Sequence, residues 1–263
     1  MRRNPKKVRG DIIVIKEVLK KKFIISGHRG YSHKYPENTL LSFKEAIELG
    51  VDMLELDLHL SSDKVIMIMH DNSLERTTNG KGLLREKTCA ELKKLDAGGW
   101  KAKHFEGLKI PTFEEFLTMV KPYENLLLSV EIKVEPDDVV CADEAIAMTN
   151  AFGVTHRCVF TSFDALVTDH IYDKYGLPTL GYDEKYMINV KPDSISKLWS
   201  IGVPLHDMTL EYTNKWREKN IWPCPFCPDT AEQVIHCIEN GGAMVTCNDP
   251  IPAINIAKER GLR

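Results

Sequence analysis

Short apolar runs recur along the chain, and several of them close on a glycine, a histidine or a charged residue. Phe23–Ser26 runs into Gly27-His28 and reads as a buried strand. Pro36-Glu37-Asn38-Thr39 then reads as a helix start, with Asn38 as N-cap. Phe43, Ala46, Ile47 and Leu49 continue at helical spacing until Gly50 ends the helix. Val51–Leu60 changes to period two. Leu54, Leu56, Leu58 and Leu60 fall on one side, and Glu55, Asp57 and His59 on the other. Ser61-Ser62-Asp63-Lys64 is a turn, and Val65–Met69 is a further strand ending in His70-Asp71. A hairpin turning between Asp63 and Lys64 sets Asp57 opposite His70. An extended return to a parallel strand also brings His70 near the carboxylates, and the spacing does not choose between the two paths.

Residues 72–125 interrupt this rhythm. Asn79-Gly80-Lys81-Gly82 is loop, and two small helices are signalled by capping boxes, Thr88 with Glu91 and Thr112 with Glu115. The segment reads as an insertion over one mouth of the fold, packed through Trp100, Phe105 and Phe113. Beyond it, strands are predicted at Leu126–Ile132, Val159–Ser162, Pro178–Gly181, Val203–Leu205, Ile221–Trp222 and Ala243–Thr246. Helices are predicted over residues 137–152, 194–201, 211–219, 231–239 and 250–260. Strands alternating with helices imply βα units around a parallel sheet. The nine strand candidates exceed an eight-stranded barrel by one, which treating residues 54–70 as one irregular unit absorbs. The expected organisation is an N-terminal extension, 1–22, and one barrel domain, 23–263, carrying the insertion at about 72–125.

Composition narrows the class. The 263 residues suit a single α/β barrel, and 43% hydrophobic with 28% charged residues is globular. A net charge of −3 gives no nucleic-acid signature. No apolar run approaches the roughly 18 residues that span a bilayer, and the basic N-terminus lacks the apolar core of a signal peptide. Seven scattered cysteines suit reduced thiols and a cytoplasmic location. Ile12, Ile15, Val18 and Leu19 share one side of a possible N-terminal helix rich in lysine, which offers weak peripheral contact with a membrane; closure of the barrel floor is the plainer reading. Oligomeric state leaves no mark in the sequence.

The chemistry concentrates at strand ends. Glu55, Asp57 and Glu131 are three carboxylates that would be costly if buried unpaired, and their hard oxygens suit Mg²⁺ or Ca²⁺. Solvated surface is the competing reading. His28 and His70 can act as general base and general acid on either side of a phosphate, with Arg29 and Lys133 offsetting its charge.

These segments resemble the glycerophosphodiester phosphodiesterase family, a branch of the barrel phosphodiesterases that includes phosphoinositide-specific phospholipase C. The resemblance lies in His28-Arg29-Gly30, Pro36-Glu37-Asn38-Thr39, Glu55-Leu56-Asp57, His70-Asp71, Leu74–Gly80 and Glu131-Ile132-Lys133. Ser162-Phe163-Asp164, Trp222 and Asn248-Asp249-Pro250 are weaker matches. It implies a TIM-like (β/α)8 barrel with a small insertion after the third strand. It also implies hydrolysis of a glycerophosphodiester to glycerol 3-phosphate and an alcohol. Glu55, Asp57 and Glu131 take the place of the metal ligands, His28 and His70 of the acid–base pair, and Arg29 and Lys133 of the phosphate contacts. By similarity to the phospholipases, the glycerol 2-hydroxyl attacks phosphorus to give a cyclic phosphate that water then opens, with His28 as base in the first step. Phe163 and Trp222 are expected as an apolar wall against the glycerol carbons. Alternatives on the same barrel are a lysophospholipase D or cyclising lipid phosphodiesterase, and a non-catalytic binding protein. The chain departs from the family after Trp222. There Pro223-Cys224-Pro225-Phe226-Cys227-Pro228 replaces a Thr-Val-Asn-like run, and Cys224 and Cys227 are read as inert thiols.

Overall fold

The structure, a computed structural model, describes residues 23–263. The predicted N-terminal helix and its membrane contact lie outside the described residues. The strands are β1 (Ile24–His28), β2 (Met53–Leu60), β3 (Ile66–Ile68), β4 (Leu127–Ile132), β5 (Cys158–Thr161), β6 (Thr179–Tyr182), β7 (Ser200–Pro204), β8 (Trp222–Phe226) and β9 (Met244–Cys247). All but β3 run parallel, in the order β1-β9-β8-β7-β6-β5-β4-β2, and pairing of β1 with β2 closes the ring. This is the expected eight-stranded α/β barrel, with helices between the strands. The surplus strand is β3, which folds back antiparallel on β2.

The hairpin path therefore holds, but in a different register. Leu58 opposes Ile68 and His59 opposes Met67, so Asp57 faces Met69, whose N–H donates to the Asp57 carbonyl at 3.1 Å. Lys64, at φ 63°, turns the chain in the left-handed region and moves the centre of the hairpin to Asp63. His70 thus follows the last opposed residue and reaches the barrel mouth beside Asp57.

Both predicted capping boxes are present, at Thr88 with Glu91 and Thr112 with Glu115. Met67, Met69, Leu74, Leu84, Leu92, Ala97 and Ile110 form a small core separate from that of the barrel. The helix Phe113–Val120, expected within the insertion, instead buries Phe113, Phe116, Leu117 and Val120 in the barrel core. Trp100 is more than a third exposed. Phe105 reaches the barrel through Tyr35, at a ring separation of 5.8 Å.

Two further expectations change. The 194–201 helix stops at Lys197, and β7 begins at Ser200, because Trp199 N–H donates to the Thr179 carbonyl and draws the chain into the sheet. Most of the proline–cysteine run lies in strand β8, which extends to Phe226 where the expected strand ended at Trp222. Trp222 N–H donates to Trp199 on the β7 side, so Cys224 and Phe226 present their N–H groups to the same side. The nitrogens of Pro223 and Pro225 face β9, where a proline has no hydrogen to give, and pairing there falls to Phe226 with Thr246 alone.

Candidate active site

Parallel register stacks the acidic residues at the C-terminal end of the barrel. His28 pairs with Glu55, and Asp57 with Glu131. Oxygens of Glu55, Asp57 and Glu131 lie within 4.8 Å of one another, and all three residues are buried. Immediately after β1, Arg29 (φ 55°) and Gly30 (φ 84°) turn the chain through the left-handed region. A Cβ on Gly30 would come within 2.4 Å of Ser42 Oγ, so only glycine fits there. This turn aims the Arg29 N–H at Glu55 Oε2, 2.9 Å away.

Cations and amides surround the carboxylates. Lys133 Nζ donates to Glu131 at 2.6 Å and to Asp57 at 3.4 Å, and Arg29 Nε lies 3.4 Å from Asp57. Asn38 is a site residue that the sequence placed wrongly. Thr39 caps the helix Leu40–Leu49, whereas Asn38, at φ 56°, donates from Nδ2 to Asp57 Oδ2 at 2.7 Å. The neighbouring Thr39 masked it, since either residue caps a helix well.

Each histidine has its Nδ1 occupied. Asn248 Oδ1 accepts from His28 Nδ1 at 2.7 Å, and Asp229 holds Asn248 through both its backbone N–H and its Nδ2 at 2.7 Å. Cys227 Sγ also lies 3.4 Å from His28 Nδ1, so this thiol belongs to the surroundings of the site. His70 Nδ1 sits 2.6 Å from Asp71 Oδ1. His59 is buried behind it, with Nε2 at 3.3 Å from the His70 carbonyl. Arg76 clamps Asp71 and Glu37 with both arms of its guanidinium, and Glu37 in turn accepts from Arg29 Nη1 at 2.9 Å.

The charges are strongly perturbed. Burial, then the charges of Asp57 and Glu131, hold the Glu55 carboxyl well above the usual carboxylate range. Burial pushes Asp57 the same way, but Lys133 and Arg29 outweigh it and keep Asp57 ionised. Burial lowers the pKa of His70, against partial opposition from Asp57. Burial also disfavours charge on His28, but its contacts with Cys227 and Asn248 outweigh that and raise its pKa.

His28, Arg29, Glu55, His70 and Glu131 line a cavity of about 170 Å³ together with the apolar surfaces of Phe163, Leu180, Tyr182, Cys224 and Phe226. Phe163 stands where the sequence placed it. Trp222 does not: it opens β8 at the opposite end of the barrel, and Phe226, four residues on, takes the wall position. Reading Ile221–Trp222 as the whole strand put its end at the tryptophan.

The model of the glycerophosphoryl diester phosphodiesterase family matches residues 28–182, more than half of the chain. The glycerophosphodiester phosphodiesterase of Caldanaerobacter subterraneus subsp. tengcongensis is 28% identical over 248 residues, covering 91% of this chain and 100% of that protein. YhdW of Bacillus subtilis is 35% identical over 156 residues, and the match covers 59% of this chain and 63% of YhdW. An Oleispira antarctica phosphodiesterase, solved in complex with the product sn-glycerol-3-phosphate, superposes with a TM-score of 0.80 at 22% identity. That alignment covers 92% of this chain and 99% of the other.

Proposed function

The chain belongs to the glycerophosphoryl diester phosphodiesterase family, and from that premise we propose that it hydrolyses glycerophosphodiesters to glycerol 3-phosphate and an alcohol. The observation that carries this reading is the buried triad of Glu55, Asp57 and Glu131 at the barrel mouth, between two histidines and two cations. The donor set fits a hard divalent cation. Three carboxylates share the site with Lys133 and Arg29, and Arg29 also serves Glu37, so negative charge is in excess. Mg²⁺ or Ca²⁺ held by the triad supplies polarisation of a phosphoryl oxygen and neutralisation of charge.

Arg29 and Lys133 orient the phosphate and offset its charge. With Nδ1–H held by Asp71, neutral His70 leaves its Nε2 lone pair free, and its lowered pKa suits it to take the proton of the glycerol 2-hydroxyl as that oxygen attacks phosphorus. His28, whose pKa is raised, then gives a proton to the departing alcohol. This reverses the role assigned to His28 by similarity alone. In the second step the pair exchanges roles and water opens the cyclic phosphate. The reaction uses a small-molecule substrate in a cytoplasmic setting, and no described helix is long and apolar enough to cross a membrane.

The test is a product assay on a panel of glycerophosphodiesters and lysolipids. Glycerol 3-phosphate is the expected product; lysophosphatidic acid from the lysolipids instead would make the enzyme a lysophospholipase D. Chelator abolishes turnover and added Mg²⁺ or Ca²⁺ restores it. His28→Ala and His70→Ala each keep the fold and lose at least ~10²-fold in rate. Full activity in excess chelator sinks the metal assignment.

A further inference from the structure

Tyr182 closes β6 inside the barrel and carries a hydroxyl that neither the fold nor the mechanism uses. The residue is 8% exposed, and its ring stacks on Phe163 with centroids 3.7 Å apart and planes 10° from parallel. Phe226 meets the same ring edge-on at 6.0 Å. The neighbouring strand makes room for it: a Cβ on Gly202 would come within 2.4 Å of Tyr182 Cε1. Three elements therefore fix the ring in one place. The side chain lines the cavity together with His28 and Glu131, yet its hydroxyl has no hydrogen-bond partner among the described residues. A phenylalanine would fill this slot equally well, so packing does not account for the hydroxyl, which opens on the cavity where a ligand can meet it.

We infer that Tyr182 is a substrate-binding residue whose hydroxyl donates to the terminal hydroxyl of the glycerol group, while the Phe163–Tyr182 stack covers the glycerol carbons. The terminal hydroxyl is chosen on chemical grounds. A donor placed on the 2-oxygen would compete for the lone pair that attacks phosphorus, whereas the terminal oxygen takes no part in the reaction. The inference rests on the glycerophosphodiester reading of the site.

Calorimetric titration with two small ligands tests it. Propyl phosphate carries no hydroxyl, and 3-hydroxypropyl phosphate carries only the terminal one. The wild-type protein binds the second about 5- to 10-fold tighter, the scale of one neutral hydrogen bond. Tyr182→Phe erases that preference, leaves propyl phosphate binding unchanged, and raises KM for a glycerophosphodiester with kcat little altered. A Tyr182→Phe protein that keeps the full preference, or a wild-type protein that has none, overturns the assignment. Because binding is read without turnover, the two readings fail separately. Preference for the hydroxylated ligand with no hydrolysis of any glycerophosphodiester would refute the proposed activity and leave the role of Tyr182 standing.

Discussion

Arg76 joins the two halves of the charged site. From His70 the contacts run through Asp71, Arg76, Glu37 and Arg29 to Asp57, and from Asp71 onward the charges alternate in sign. Arg76 is 43% exposed, so its ion pairs contribute little to stability, on the order of 1 kcal/mol or less. What they fix is geometry, because both carboxylates are gripped through two contacts each. Arg76→Ala is therefore expected to leave the melting temperature within a few degrees of wild type and to lower kcat by about 10-fold as Asp71 releases its hold on His70. Unchanged kcat would show that Asp71 orients His70 unaided. At this scale the sequence was informative wherever chemistry sat next to chemistry. His28-Arg29, Glu55-Leu56-Asp57 and Glu131-Ile132-Lys133 are each local, and strand alternation puts Glu55 and Asp57 on one face. The supporting residues were harder to read. Asn248 lies 220 residues from the histidine it holds, and although Asn248-Asp249-Pro250 stood out as a weak family match, nothing local says which side chain it serves. Cys227 and Phe226 were obscured by the proline run, whose composition argues against a strand.

Between elements, single polar side chains tie helix to helix around the barrel. Asp143, on the helix Asp138–Phe152, accepts from His170, Lys174 and Tyr175 of the helix Ala165–Tyr175. Burial pushes its carboxyl up, but these three donors outweigh that and lower its pKa to about 2 from 3.8. A carboxyl with a depressed pKa stabilises the fold above its ordinary pKa and loses that contribution as pH falls through the folded value. With about a third of the side chain exposed, solvent screening holds the effect to roughly 1 kcal/mol. Asp143→Asn should then melt a few degrees lower than wild type near neutral pH, and the gap should narrow as the pH is taken from 3.8 towards 2. A gap independent of pH would assign the effect to packing. Helix starts were legible where a capping box marked them, as Thr88 and Thr112 illustrate, while the box at Thr230 went unread. The short helix Ser194–Lys197 was overextended because its end is set by a neighbouring strand rather than by its own sequence.

For the whole molecule, the alternation of strands and helices was sufficient to indicate a parallel barrel, and closure followed from the pairing of β1 with both β2 and β9. The surplus strand was legible as Val65–Met69 and the helix Phe113–Val120 from its capping box, but the register of the one and the destination of the other were not. A short strand can pair in either direction after its turn, and apolar helical spacing does not say which of two cores receives the helix. The barrel also concentrates its charge conflict in one place. Burial, reinforced by the charges of Asp57 and Glu131, raises the pKa of Glu55, so ionising it costs stability as pH rises through the carboxylate range. Glu55→Gln removes one of the three charges, and its side-chain oxygen can still accept from the Arg29 N–H that Glu55 now binds. In chelator this variant should melt above wild type, by roughly 2–4 °C for each kcal/mol of repulsion relieved. Added Mg²⁺ or Ca²⁺ should raise the melting temperature of wild type by mass action and that of Glu55→Gln far less. Scanning calorimetry of both proteins, with and without cation, separates the cases. If wild type shows no cation-dependent shift while Glu55→Gln is stabilised, the triad is a site of strain without a metal. If both shift equally, the cation binds elsewhere. The expected result, a stabler but cation-blind variant that has lost turnover, ties the least comfortable charges in the fold to the reaction they serve.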